Sequence, residues 1–241
     1  MTTGEMKSMT NSTGRSVIVS GGAGGVGLAI TQRFANNGDH VFVIEREATR
    51  QHIEALGQTL ITFVGADVLD EASVAAAITQ VHAMGGLDVL INVVGGYAAG
   101  QPIHELDRAT WSHMMDLNVM STFLLSKYAA QHMITQGSGR IVNFSSRAAV
   151  DTAANSGAYA VSKAAVIALT EVQSKELLAY DITVNAVLPS IVDTPANRAA
   201  MPKADVTRWP KADEIANVIF FLASDDAKLI SGASIPVYGR G

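Results

Sequence analysis

Tyr159 and Lys163 stand four residues apart in Ala158-Tyr159-Ala160-Val161-Ser162-Lys163, at the start of an Ala-rich stretch. In a helix this spacing puts both side chains on one face. A free phenol ionises near ~10 and is a poor base at neutral pH, whereas a neighbouring ammonium favours the phenolate and lowers that value. So paired, the two can exchange a proton with a substrate oxygen. Tyr and Lys also fall four apart by chance in many helices, so the pair takes its meaning from what accompanies it. Ser145 and Ser146 close a β-branched run at Arg140-Ile-Val-Asn-Phe144. A hydroxyl there can hold a carbonyl oxygen, although serines at strand ends are also ordinary loop residues. Asn118 interrupts a long helical stretch, in Met115-Asp116-Leu117-Asn118-Val119. Asparagine is a poor helix former, so it signals a local bend or a bound water.

A second group of residues suits a nucleotide. The first β-branched run, Ser16–Ser20, leads into Gly21-Gly22-Ala23-Gly24-Gly25-Val26-Gly27 and then a helix. Here Gly21, Gly24, Gly25, Val26 and Gly27 would let a pyrophosphate approach the backbone and the helix N-terminus. The second run ends at Glu45, eighteen residues after Gly27. A carboxylate there accepts hydrogen bonds from ribose hydroxyls and repels a 2′-phosphate, which favours NAD over NADP. The adjacent Arg46 could pair with such a phosphate, but the glycine loop offers it no second cation. Asp67 follows the third run, in Gly65-Ala66-Asp67-Val68, and could accept from an adenine amino group or cap a turn. Asn92 ends the fourth run, before Val93-Val94-Gly95-Gly96, and reads equally as a site residue or a turn residue.

These residues need a scaffold that brings run ends together. Short runs at Ser16–Ser20, His40–Ile44, Leu60–Val64, Val89–Asn92, Arg140–Phe144, Ile182–Leu188 and Ser234–Val237 alternate with helical stretches near Val26–Asn36, Glu71–Met84, Trp111–Gln136, Ala158–Leu178 and Asp213–Ala223. Continuous apolar runs are buried on both faces, as in a parallel sheet. The order predicts an α/β fold: a doubly wound, Rossmann-type parallel sheet of about seven strands, with helices on both faces. Such sheets bind ligands beyond the carboxyl ends of their strands. Residues 16–241 form one domain in this reading, and 1–15 a flexible polar tail.

Composition closes off other classes. Apolar residues make up 48 % and charged residues 16 %, which argues against disorder. The net charge of -5 leaves no electrostatic footprint for nucleic acid or an anionic membrane. The absence of cysteine excludes disulfides, thiolate catalysis and cysteine-held metals. The six histidines show no metal spacing. No apolar run reaches the roughly 18 residues of a membrane span, and the N-terminus is not signal-like, which points to the cytoplasm.

Together the motifs resemble the short-chain dehydrogenase/reductase family over about Ser16 to Gly239. Its Thr-Gly-x-x-x-Gly-x-Gly motif is matched by Ser20 to Gly27, with Ser for Thr. Its Asn-Asn-Ala-Gly motif is matched by Asn92-Val93-Val94-Gly95, with two departures. Its Tyr-x-x-x-Lys is Tyr159 and Lys163, and its catalytic serine stands thirteen residues earlier, at Ser146. Asn118 matches its catalytic asparagine. Pro189-Ser190-Ile191-Val192-Asp193-Thr194 matches its Pro-Gly-x-(Val/Ile)-x-Thr segment, with Ser for Gly. The resemblance implies that Tyr159 is the general acid or base and that Lys163 lowers its pKa and holds the nicotinamide ribose. It further implies that Ser146 binds the substrate oxygen, that Asn118 anchors a relay water, and that Val192 and Thr194 meet the carboxamide. A homotetramer is implied as well.

The segment from Asp193 to Trp209 is similar to the substrate loop of dihydropteridine reductases. Those reductases lack the family serine and asparagine, which this chain keeps. The expectation is therefore an NAD(H)-dependent carbonyl reductase or alcohol dehydrogenase. Pterin reduction is the alternative, and a non-enzymatic NAD-binding sensor ranks third.

Overall fold

The structure, a computed structural model, describes residues 14–240. Seven strands form one sheet: β1 (Ser16–Ser20), β2 (His40–Glu45), β3 (Ile61–Gly65), β4 (Val89–Asn92), β5 (Gly139–Phe144), β6 (Ile182–Pro189) and β7 (Ser234–Val237). Their order is β3-β2-β1-β4-β5-β6-β7, and all neighbours are parallel. This is the expected Rossmann-type sheet. The chain winds outward from β1 to β3, then crosses to β4 on the other side of β1. The loops after β1 and β4 therefore diverge, and a crevice opens between them.

Alternation along β1 shows why both faces are covered. Val17 and Val19 join one core layer with Ile30 and Phe34 of α1 (Gly25–Ala35) and with Ile215 and Ile219 of α8 (Ala212–Leu222). Ile18 joins the opposite layer, with Val74 and Ile78 of α3 (Glu71–Gly85) and Leu124 and Leu125 of α5 (Ser121–Gln136). The remaining helices are α2 (Arg50–Glu54), α4 (Arg108–Met115), α6 (Gly157–Leu177) and α7 (Pro195–Ala200). Side-chain caps set several starts: Asp70 accepts from Ser73 N–H, Asp107 from Thr110 N–H and Thr194 from Asn197 N–H.

The predicted helix over 111–136 differs in one respect. It divides into α4 and α5 around one π-helical turn, Asp116–Met120, which contains Asn118. Of the expected tail, residues 1–13 lie outside the described residues. Arg15 lies within them and is anchored: Nη2 bonds Asp39 Oδ2 at 2.8 Å and Nη1 bonds the Ala223 carbonyl at 2.6 Å. No helix among the described residues is long and apolar enough to cross a membrane.

Candidate active site

A cleft of about 1640 Å³ runs along the carboxyl ends of the strands. One end is formed by the loop from β1 into α1. Gly21 and Gly25 adopt φ of +72° and +50°, which L side chains rarely take. A Cβ on Gly27 would collide with the Gly21 carbonyl, so the helix packs tightly on the turn. Gly24 has open space where a Cβ would lie, and no side chain caps the first N–H groups of α1 there. This end suits a pyrophosphate: free donors, a positive dipole end and no side chain in the way.

Glu45, at the end of β2, is half-buried on the cleft wall. Burial pushes its carboxyl above the usual range, partly offset by the Thr49 hydroxyl, which donates at 3.4 Å, and by Arg46. Asp67 and Val68 line the same end. One Asp67 oxygen accepts from Leu69 N–H at 3.0 Å, so the turn reading of this residue holds as well as its place on the wall.

At the other end, Ser146, Tyr159 and Lys163 line one wall. The first turns of α6 carry Tyr159 and Lys163, and β5 delivers Ser146. Lys163 is buried, and its Nζ donates to the Phe144 carbonyl at 2.9 Å. Burial lowers its pKa to about 8. Tyr159 departs from the sequence expectation: burial pushes its phenol above the ordinary value, the Ser146 hydroxyl offsets this, and Tyr97 adds to it. The ammonium that was to lower it is turned to the Phe144 carbonyl. Ser145, the other candidate serine, donates to the Lys163 carbonyl at 2.8 Å and so ties β5 to α6.

Two expected site residues turn away from the cleft. Asn118 is fully buried and outside the cleft wall. Its Oδ1 accepts from Gly96 N–H at 2.9 Å, and its Nδ2 donates to the Gly96 carbonyl at 3.2 Å and to Ser162 Oγ at 2.9 Å. Its amide is thus committed to protein partners, and it staples the loop after β4 to α6. Asn92 is likewise buried, donating to Ser126 Oγ at 2.9 Å and Asn143 Oδ1 at 2.8 Å. It braces β4 against α5 and β5, and its neighbours Val93, Val94 and Gly95 form the wall. Gly95 fits between fixed groups: a Cβ would lie 2.7 Å from Asn118 Oδ1 and 3.0 Å from Lys163 Nζ.

Pro189 ends β6, Val192 and Thr194 follow it along the cleft, and Gly25 faces Thr194 across it. Met201 and Trp209 complete that side, while Trp111 lies off the wall. The sequence reading missed Thr49, His113 and Arg147 as wall residues. Thr49 follows Glu45 by one helical turn, and Arg147 directly follows Ser146. Spacing therefore held a signal for these two, though not for His113. Tyr97 is exposed and sets its ring edge-on to Tyr159, with centroids 4.9 Å apart. Among the described residues no three His, Asp or Glu side chains gather as a metal site.

The family pattern described as short chain dehydrogenase matches residues 15–205. The chain is 35 % identical to cis-4-hydroxycyclohexanecarboxylate dehydrogenase of Sinomonas cyclohexanicum, over 93 % of this chain and 95 % of that one. It is 36 % identical to galactitol 2-dehydrogenase of Rhizobium johnstonii, over 93 % of each. Among solved structures, ElxO with NADP bound superposes with a TM-score of 0.88 at 28 % identity, covering 94 % of this chain and 98 % of that one. The order of motifs along the cleft, the sheet that presents them and the match over most of the length agree. The chain belongs to the short-chain dehydrogenase/reductase family.

Proposed function

We propose that this protein interconverts a secondary alcohol and its carbonyl with NAD(H), and that Tyr159 carries the proton. The observation that carries this reading is the single cleft joining an uncapped, glycine-lined helix start to Ser146, Tyr159 and Lys163. A bound nicotinamide supplies the hydride acceptor or donor. In oxidation, Tyr159 Oη takes the hydroxyl proton as the carbinol carbon gives up its hydride; in reduction it returns that proton to the carbonyl oxygen. Ser146 hydrogen-bonds the same oxygen. Lys163 would hold the ribose of a bound dinucleotide, and Asn118 holds the loop that forms the facing wall.

Glu45 supports NAD, since its half-buried carboxylate suits ribose hydroxyls and opposes a phosphate. Arg46 beside it is exposed. ElxO holds NADP, so the preference for NAD rests on Glu45 of the present chain alone. The two curated relatives act, by their names, on a ring hydroxy acid and a polyol, which supports a secondary alcohol as the substrate class. We assign a homotetramer as the assembly. Exposed apolar side chains at the end of the π-helical turn (Met120) and along α5 (Phe123, Ile134) and α6 (Val161, Val172) support an interface there.

The test is a panel of secondary alcohols, ketones and a quinonoid dihydropterin, read by NADH absorbance. Tyr159→Phe should lower turnover by roughly 10²–10⁴-fold with dinucleotide binding kept. Near-normal turnover in that variant would overturn the assignment, and tighter binding of NADPH than NADH would overturn the cofactor preference. The 193–209 segment motivates the pterin arm: NADH consumption with the pterin alone would reverse the order of the two enzymatic readings. Tight NADH binding with no turnover across the panel would favour the sensor.

A further inference from the structure

We propose that the substrate carries an anionic group, a carboxylate in its simplest form, and that Arg147 binds it. This rests on the oxidoreductase reading and narrows its substrate class.

Arg147 follows Ser146 directly and lines the same cleft. Two contacts fix its guanidinium. Nε donates to Asp151 Oδ2 at 2.9 Å, and the group lies over the Tyr238 ring at 5.1 Å. Among the described residues, neither Nη donates a hydrogen bond. A guanidinium has two edges that can each meet a carboxylate. Asp151 takes a donor on the Nε edge, which leaves the Nη1/Nη2 edge oriented and unspent.

The remaining charges do not compete for that role. Glu45, Arg46 and Asp67 belong to the nucleotide end. Arg198 and Asp193 are paired with each other at 2.5 and 2.8 Å, and Arg198 lies off the cleft wall. Lys163 sits deep, against the Phe144 carbonyl. Among the described residues, Arg147 is therefore the Arg or Lys side chain at the substrate end with donors to spare. Along the same cleft Leu117, Ile191, Met201 and Trp209 present apolar surface for a carbon body.

The ion pair and the Tyr238 ring hold the guanidinium but use only its Nε donor. A half-exposed ion pair at i,i+4 contributes little to stability, and side chains of this length readily turn out to water. Here Arg147 instead lines the cleft, one residue after Ser146. The recognition chemistry is that of a hydroxy acid or oxo acid. The acid group meets Arg147 while the reacting oxygen meets Ser146 and Tyr159.

The probes are benzoate and its neutral isostere benzamide, titrated against the NADH-loaded protein with tryptophan fluorescence as readout. Neither probe has a reacting hydroxyl, so binding is measured apart from turnover. Benzoate should bind roughly tenfold tighter or better. Arg147→Gln should erase that difference and leave benzamide binding unchanged. Asp151→Asn should retain or strengthen benzoate binding, an outcome that a merely structural pair would not give. Equal binding of both probes, binding of neither, or a preference that survives Arg147→Gln overturns the inference. The alcohol panel with Tyr159→Phe tests the underlying reading separately. Efficient, Tyr159-dependent turnover of neutral alcohols with no benzoate preference would sink the anion site alone.

Discussion

Lys163 is an ammonium held in the core by one carbonyl oxygen, and that arrangement has a cost in stability. Its folded pKa of about 8 lies below the ordinary lysine value of 10.5. The folded state therefore binds fewer protons than the unfolded chain between those values, and stability rises with pH across that window. Below pH 8 the cost of burying the charge is present in full. Lys163→Met should then raise stability by about 1–3 kcal/mol near pH 7 while abolishing most turnover. The gain should vanish as the pH approaches that of free lysine. Thermal melts of both proteins at several pH values check this, and a variant less stable at neutral pH would contradict it. The raised pKa of Tyr159 belongs to the same scale. Burial favours the protonated phenol, the form that donates in carbonyl reduction, and opposes the ionisation that alcohol oxidation needs.

At the scale of elements, the site depends on how the loop after β4 is held. The π-helical turn between α4 and α5 points Asn118 at both backbone groups of Gly96, and Ser162 of α6 receives its remaining donor. Three elements thus meet at one buried amide. Gly95 threads between that amide and Lys163 Nζ. Gly95→Ala should push the loop off both groups. We expect a loss of about 1–3 kcal/mol in stability and at least a tenfold loss of turnover. Chemical denaturation and steady-state kinetics measure the two effects, and normal values for both would refute this account of the loop. Asn118 was legible in the sequence as an oddity within a helix. Its partners were not, because Gly96 and Ser162 are 22 and 44 residues away.

At the scale of the molecule, the exposed apolar side chains of α5 and α6 predict an assembly. Light scattering should give four times the 25.3 kDa chain mass. Phe123→Asp with Val172→Asp should give smaller species, since charges in an apolar contact cost several kcal/mol. A monomeric wild type at micromolar concentration would rule the tetramer out.

The sequence by itself determined the sheet, the order of its strand ends and the identity of the chemistry-bearing residues. Periodic burial dictates local elements, and Gly21–Gly27, Glu45, Ser146, Tyr159 and Lys163 sit where those elements end. Only the tertiary structure decided what those residues touch. It turned Asn92 and Asn118 into braces, aimed Lys163 at a carbonyl, raised the Tyr159 pKa by burial and brought Arg147 and Tyr97 to the cleft. The reason is physical. A pKa or a hydrogen bond depends on desolvation and on partners brought near by folding, and neither is encoded in spacing along the chain.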